Sequence, residues 1–233
     1  MMNPMFATAG IHETSIETES FGELNYTLSL PGEIPTLSNA ASGKRFPLVV
    51  ALHYGFDRSA LFPRHYGRGV LEGLIGPALG ELGAIIIAPD SHGKSWTDSR
   101  LTQGVLELAT WITQHYPIDT TQTLLTGFSL GGIGTWHIMG DAKAHFSAAI
   151  SVAAAPDSEV TARFPNRPLY VIHSEDDEVF PIAKVSAAVS ALRERGGSVH
   201  FERIHGVKHF NVPQFVPALR NTLPWLRNVW AGT

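Results

Sequence analysis

The chain has 233 residues and a formal net charge of −4, a length that suits one large α/β domain better than two ordinary ones. Hydrophobic residues make up 44% and charged residues 16%, enough apolar material for a buried sheet, and no lysine or arginine cluster marks a nucleic-acid surface. Cysteine is absent, which excludes disulfides, thiolate metal sites and a cysteine nucleophile.

Residues 1–10 contain no basic residue and no sustained apolar core, so no secretory signal is expected there. No apolar run approaches the ~20 residues of a membrane span. A soluble, cytoplasmic protein is therefore the expectation. Residues 11–30 read as two strands with a turn near Phe21 and Gly22, and 31–45 as a polar connection. Residues 46–52 (FPLVVAL) form an apolar run suited to a strand buried on both faces. Residues 69–82 have helical spacing despite their glycines and Pro77, and 84–88 (AIIIA) form the next strand.

A clearer helix covers 101–115 and stops at Pro117, and the strand 122–128 (QTLLTGF) leads into a turn and a helix running through Met139. Further strands fit 148–153, 169–172 and 199–204, with a helix over 181–195. Residues 212–229 hold Pro213, Pro217 and Pro224, which predicts a segmented helix. Strands alternating with helical segments predict an α/β fold: a mostly parallel sheet covered on both faces, with the opening strands antiparallel. One domain spanning 1–233 is the simplest organisation.

Gly127-Phe128-Ser129-Leu130-Gly131 matches G-x-S-x-G between a strand and a helix. A serine hydroxyl is a weak nucleophile unless a base reaches it, and a tight strand-to-helix turn lifts Oγ clear of the sheet. Glycines at such a turn remove side chains that would clash. Ser129 is the candidate nucleophile, and the Leu130 N–H at the helix start is a candidate oxyanion donor.

In this arrangement an acid and then a histidine follow in chain order. Two histidines lie beyond the strand 199–204: His205 at its end and His209 after Gly206. His209 is favoured as the base because the glycine allows its loop to fold back, leaving His205 a supporting or capping role. Residues 175–178 (EDDE) offer four carboxylates, most of them expected on a solvated loop. Asp177 is favoured as the acid because Val179 and Pro181 anchor the chain after it. Asp157, one strand earlier, competes with it.

The second oxyanion donor is expected after the strand 46–52, with Gly55 favoured over Tyr54 and His53 structural. Tyr54, Phe56 and Trp96 are candidate pocket residues. Asp90 and His92 fall on the same edge and either line the pocket or reflect loop polarity. Trp136 and Trp225 read as packing residues. Eleven histidines raise the possibility of a metal, but H-E-x-x-H and comparable pairings are missing, so no metal or cofactor is expected.

These stretches together resemble the α/β-hydrolase superfamily, and more narrowly its dienelactone-hydrolase and phospholipase/carboxylesterase-like branch of compact bacterial esterases. The resemblance rests on PLVVALH at 47–53, APD at 88–90, TGFSLGG at 126–132, HSEDDEVFP at 173–181 and GVKHF at 206–210. It implies a triad of Ser129, Asp177 and His209, with the family's D-x-V-x-P pattern falling on Asp177, Val179 and Pro181. It also implies Gly55 as an oxyanion amide. Family members usually read His-Gly where this chain has His53-Tyr54, so the acyl pocket is expected to differ. Dienelactone hydrolases use a cysteine nucleophile, which this chain lacks.

The expected function is hydrolysis of small or accessible carboxylic esters through an acyl-enzyme, without a large lid. A small-molecule ester would be the partner, with no nucleic acid or membrane involved. A peptidase, thioesterase or acyltransferase shares the triad chemistry, and a non-catalytic ligand-binding member is the alternative from another class.

Overall fold

The computed structural model describes residues 5–34, 43–55, 66–141 and 146–232. Eight strands form one sheet in the order β1-β2-β4-β3-β5-β6-β7-β8. β1 (Gly10–Thr18) and β2 (Gly22–Leu30) make an antiparallel hairpin, and β2 runs antiparallel to β4 (Ile85–Pro89). β3 (Phe46–Leu52), β5 (Ile118–Phe128), β6 (Ala148–Val152), β7 (Leu169–Ser174) and β8 (Val199–Ile204) are parallel to their neighbours.

The alternation of side chains along each strand divides the core into two layers. Leu48, Val50 and Leu52 of β3 join one cluster, and Val49 and Ala51 join the other. Both faces are buried, which is why β3 is an apolar run without polar alternation. The first layer receives α3 (Ser99–His115) through Leu101, Val105, Leu108 and Ile112. It also receives α4 (Leu130–Met139) and α6 (Ile182–Glu194). Asp98 caps α3 by accepting from the Arg100 and Leu101 amides at 3.0 and 3.1 Å.

The second layer is covered by the segment after β3 and by the C-terminus. The former begins with α1 (Tyr66–Val70), passes through a π-helical turn at Leu71–Ile75, and ends in α2 (Gly76–Leu79) and a 3₁₀ turn at Gly80–Leu82. Pro77 sits at the start of α2, where its missing N–H costs least. The C-terminal segment breaks at its prolines into a 3₁₀ turn (Val212–Phe215), α7 (Val216–Asn221) and α8 (Leu223–Ala231).

The sequence-based strands at 46–52 and 199–204 coincide with β3 and β8. β5 starts four residues earlier than its apolar run, because Ile118 pairs with Phe46 before a register shift brings Thr123 opposite Leu48. α5 (Ser158–Arg163) has no counterpart in the sequence reading. Six residues are too few to display helical periodicity, although Asp157 is a typical capping residue. No helix of the described residues is long and apolar enough to cross a membrane.

The chain leaves β3 towards β4 on one side and returns to β5 on the other. This reversal opens a crevice at the carboxyl ends of β3 and β5, the place where open α/β sheets bind ligands.

Candidate active site

Ser129 occupies the step from β5 to α4 with φ 55° and ψ −118°. A side chain in this region is strained by about 1–3 kcal/mol and persists only where its surroundings enforce it. Two close backbone contacts supply that enforcement. A Cβ on Gly127 would lie 2.3 Å from the Gly131 carbonyl, and one on Gly131 would lie 2.0 Å from the Leu52 oxygen. Glycine at these two positions lets β3, β5 and α4 converge under the serine. The Ser129 amide donates to the Val152 carbonyl at 3.0 Å, tying the turn to β6.

The Ser129 side chain does not cap α4, so Oγ stays available to a base. That base is in place: His209 Nε2 lies 2.8 Å from Ser129 Oγ, and His209 Nδ1 lies 2.7 Å from Asp177 Oδ2. A carboxylate only accepts, so Nδ1 carries the proton and the Nε2 lone pair faces the hydroxyl. All three side chains are buried. Phe128, Phe180 and Phe210 surround the imidazole with ring centroids 5.5, 5.4 and 5.2 Å away, so water has little access to it.

Asp177 is itself held. Its Oδ1 accepts the amides of Val179 and Phe180 at 2.8 and 2.7 Å, leaving Oδ2 for the histidine. The turn's other three carboxylates are exposed, and two of them also accept backbone amides. Asp176 Oδ2 accepts the Gly206 amide at 2.6 Å and Glu178 Oε2 accepts the His209 amide at 3.0 Å. Glu175 lies 3.4 Å from His205. The exposure of these three agrees with the solvated loop expected from the sequence, which gives no sign of the bonds that Asp176 and Glu178 make to the 206–209 loop. Residue spacing predicts the Asp177–His209 pairing of the two loops but carries no signal that Asp176 and Glu178 would accept backbone amides thirty and thirty-one positions away.

His173, to which the sequence reading gives no role of its own, is fully buried with Nε2 2.7 Å from the Phe180 carbonyl and 3.8 Å from Asp177 Oδ2. Burial lowers its pKa, so it is neutral and donates through Nε2 to that carbonyl. This bond helps orient the turn whose amides hold Asp177.

Several candidates fall elsewhere. His205 is exposed and supports no residue of the triad. Asp157 caps α5 by accepting the Val160 amide at 2.8 Å, a helix-terminal task away from His209. Trp96 is a core residue rather than a pocket wall: it is buried against Gly134 of α4, and its indole donates to the His53 carbonyl at 2.8 Å. Tyr54 packs edge-on to Phe128 at 6.0 Å, and its hydroxyl approaches Gly69 of α1. Phe56 lies outside the described residues. Asp90 is buried and accepts the Gly67 amide at 2.7 Å. His92 accepts the Asn25 amide at 3.3 Å.

His53 is structural. Its Nδ1 donates to the Tyr54 carbonyl at 2.6 Å and its Nε2 accepts the Ser91 amide at 3.0 Å. Burial outweighs the Tyr54 hydrogen bond and pushes its pKa down to about 4. The neutral ring thus joins the end of β3 to the loop after β4.

The first amides of a helix have no intrahelical acceptor, and that of Leu130 adjoins Ser129. Gly55 passes beside the Leu130 side chain, since a Cβ on Gly55 would fall 2.7 Å from Leu130 Cδ1. The two expected oxyanion amides therefore belong to adjoining residues. No cluster of three or more metal-ligating side chains occurs among the described residues.

A strained serine at a strand–helix turn, a base and a buried acid on a mostly parallel covered sheet define a serine hydrolase of the α/β-hydrolase class. The phospholipase/carboxylesterase family profile matches residues 98–226, more than half of the chain, and the chain belongs to that family. The matched span includes Ser129, Asp177 and His209 but not Tyr54 and Gly55. No curated protein matches the sequence significantly.

Among solved structures, a thermostable esterase superposes with TM-score 0.75 at 23% identity, covering 94% of this chain and 62% of its own. The chain therefore spans less than two thirds of that esterase. The fluorophosphonate-binding serine hydrolase F of Staphylococcus aureus, with substrate bound, has TM-score 0.74 at 14% identity, covering 94% and 98%. A ferulic acid esterase has TM-score 0.66 at 16% identity, covering 97% and 100%.

Proposed function

We propose that this chain hydrolyses carboxylic esters of small or accessible acyl groups through an acyl-enzyme on Ser129. The observation that carries the reading is the single imidazole bridging Ser129 Oγ at 2.8 Å and Asp177 Oδ2 at 2.7 Å. Ser129 Oγ attacks the ester carbonyl while His209 Nε2 takes its proton. The carbonyl oxygen gains the negative charge and is met by the Leu130 and Gly55 amides. Asp177 stabilises the imidazolium without itself taking the proton.

As the tetrahedral intermediate collapses, the carbon–oxygen bond to the alcohol breaks and His209 returns its proton to the leaving oxygen. Water, deprotonated by the same nitrogen, then attacks the acyl-serine. The acid departs and Oγ regains its proton. Each step balances without a cofactor. The partner is a small-molecule ester, and neither nucleic acid nor a membrane has a role. A cysteine-free chain has no disulfide to lose in a reducing cytoplasm, the compartment we assign.

The test is labelling by a fluorophosphonate together with turnover of p-nitrophenyl acetate. Both should occur in the native chain, and Ser129→Ala should abolish labelling and lower kcat by roughly 10⁵–10⁶. Folded native protein that takes no label would overturn the reading. Faster turnover of acyl-thioesters or aminoacyl amides than of esters would move it to another acyl-transfer reaction.

A further inference from the structure

A groove of about 680 Å³ lies between α5 and α6, within the range of about 300–1,000 Å³ typical of small-molecule sites. Its walls are largely apolar, with Ala155, Ala162, Ala187, Ala188 and Ala191 beside the polar Asp157, Ser158 and Thr161. Phe180 closes the end nearest the site and also packs against the His209 ring at 5.4 Å. At the far end Arg195 donates to the Thr161 carbonyl at 2.6 Å. Thirteen residues of α6 separate these ends, a length of roughly 20 Å.

The position of the groove relative to the reacting atoms decides which part of an ester it would meet. β3 and β6 flank β5 on opposite sides. Gly55, an oxyanion amide, follows β3, whereas Ala155 of the groove follows β6. The ester oxygen that leaves must lie against His209 Nε2 to receive its proton. The groove therefore starts on the histidine side of Ser129, away from the oxyanion side.

A second observation points to apolar substrate here. Leu130, Val179 and Phe210 are large hydrophobic residues with 44%, 41% and 75% exposure. They follow Ser129 and His209 directly and Asp177 by two positions, so each loop of the site turns an apolar side chain to solvent. Scattered exposed leucines need no explanation, but one beside each of three convergent residues forms an apolar rim.

We propose that the groove is the leaving-group subsite, taking the alkyl or aryl portion of the ester's alcohol, with Phe180 as the threshold between it and His209. The assignment rests on the reading of Ser129 as nucleophile. It makes the enzyme selective for the size of the alcohol more than for that of the acid. Lys184 on the groove's edge leaves room for a polar end to the alcohol without interrupting the alanine-lined floor.

The test compares kcat/KM on acetates of methanol, ethanol, butanol and hexanol with that on methyl esters of acids of matching size. Along the alcohol series kcat/KM should climb about threefold to fourfold per methylene buried, and the acid series should be flatter. Ala162→Phe, on the exposed side of α5, should cut the hexyl-to-methyl ratio by about tenfold or more. Methyl acetate turnover and fluorophosphonate labelling should stay at the native level.

Ala191→Phe fills the groove from α6 and should act in the same way, so the test survives a folding defect in either variant. Hexanol should also inhibit the native chain competitively against methyl acetate. A steep acid series with a flat alcohol series overturns the subsite, as does an unchanged ratio in the folded variants. So does a change in association state without a change in selectivity, which would give the groove to a second copy of the chain. Loss of labelling in native protein would instead overturn the nucleophile reading, a separate outcome from loss of alcohol selectivity alone.

Discussion

At the elbow, Gly127 and Gly131 bring three backbone segments so close that a Cβ would fall within 2.3 and 2.0 Å of carbonyl atoms. In the 175–178 turn carboxylates hold the chain: Asp177 holds Val179, Phe180 and His209, Asp176 holds Gly206, and Glu178 holds the His209 amide. One region is fixed by the absence of side chains and the other by their hydrogen bonds. Errors should therefore act differently in each. A substitution at the elbow meets backbone that cannot yield, whereas one in the turn removes a single partner and leaves the rest of the net.

The sharpest way to separate chemistry from scaffold in the turn is Asp177→Asn. It keeps the shape but offers His209 an amide, and kcat should fall by roughly 10⁴ with the fold intact. Steady-state kinetics with circular dichroism checks both halves, and a loss below about tenfold would return the acid's role to another carboxylate.

At the elbow, Gly131→Ala should instead cost stability, by more than about 4 kcal/mol in urea unfolding or by failure to fold. Gly73→Ala is its control, because nothing lies within 4 Å of the added carbon. There the change should be neutral or stabilising by about 0.5–1 kcal/mol. Equal effects at the two positions would break the contrast.

His53 extends the comparison to a third loop, held by a ring that must stay neutral. Its folded pKa of about 4 lies below the ordinary 6.5, so between those values the unfolded chain binds more protons. Its stabilisation is full above about pH 6.5 and is lost as pH falls towards 4, an effect on the order of 3 kcal/mol. Urea midpoints at pH 7 and pH 5 should differ accordingly, and His53→Gln should reduce the slope. His173, lowered in the same direction by burial, would supply the slope that remains. The smallest effect is expected for Asp176→Asn, whose amide oxygen still accepts from Gly206. Activity should drop by less than about tenfold, in contrast to Asp177→Asn.

The two regions also differ in how well residues announce them. The elbow is local: strand, glycines, serine and helix are adjacent in sequence, so G-x-S-x-G in its context already prescribes the turn. In the acidic turn, D-x-V-x-P distinguishes Asp177 from its neighbours, and Gly206 lets the His209 loop return. The uses of Asp176 and Glu178 are not legible, because their partners lie about thirty residues away and are backbone amides of any residue type. Trp96 misled for a related reason: a tryptophan in a loop reads as a wall, but Gly134 leaves a slot in α4 that draws it into the core. α5 was too short to show a period.

Ser129 and His209 stand on strands of unequal standing. β5 is flanked on both sides by β3 and β6, whereas β8 is an edge strand that, among the described residues, pairs with β7 alone. Outer strands are the first parts of a sheet to open, often without the centre following. The base thus follows an edge strand and the nucleophile an interior one. On gentle heating, amide exchange should quicken in β8 before β5, and turnover should vanish and return on cooling while the sheet persists.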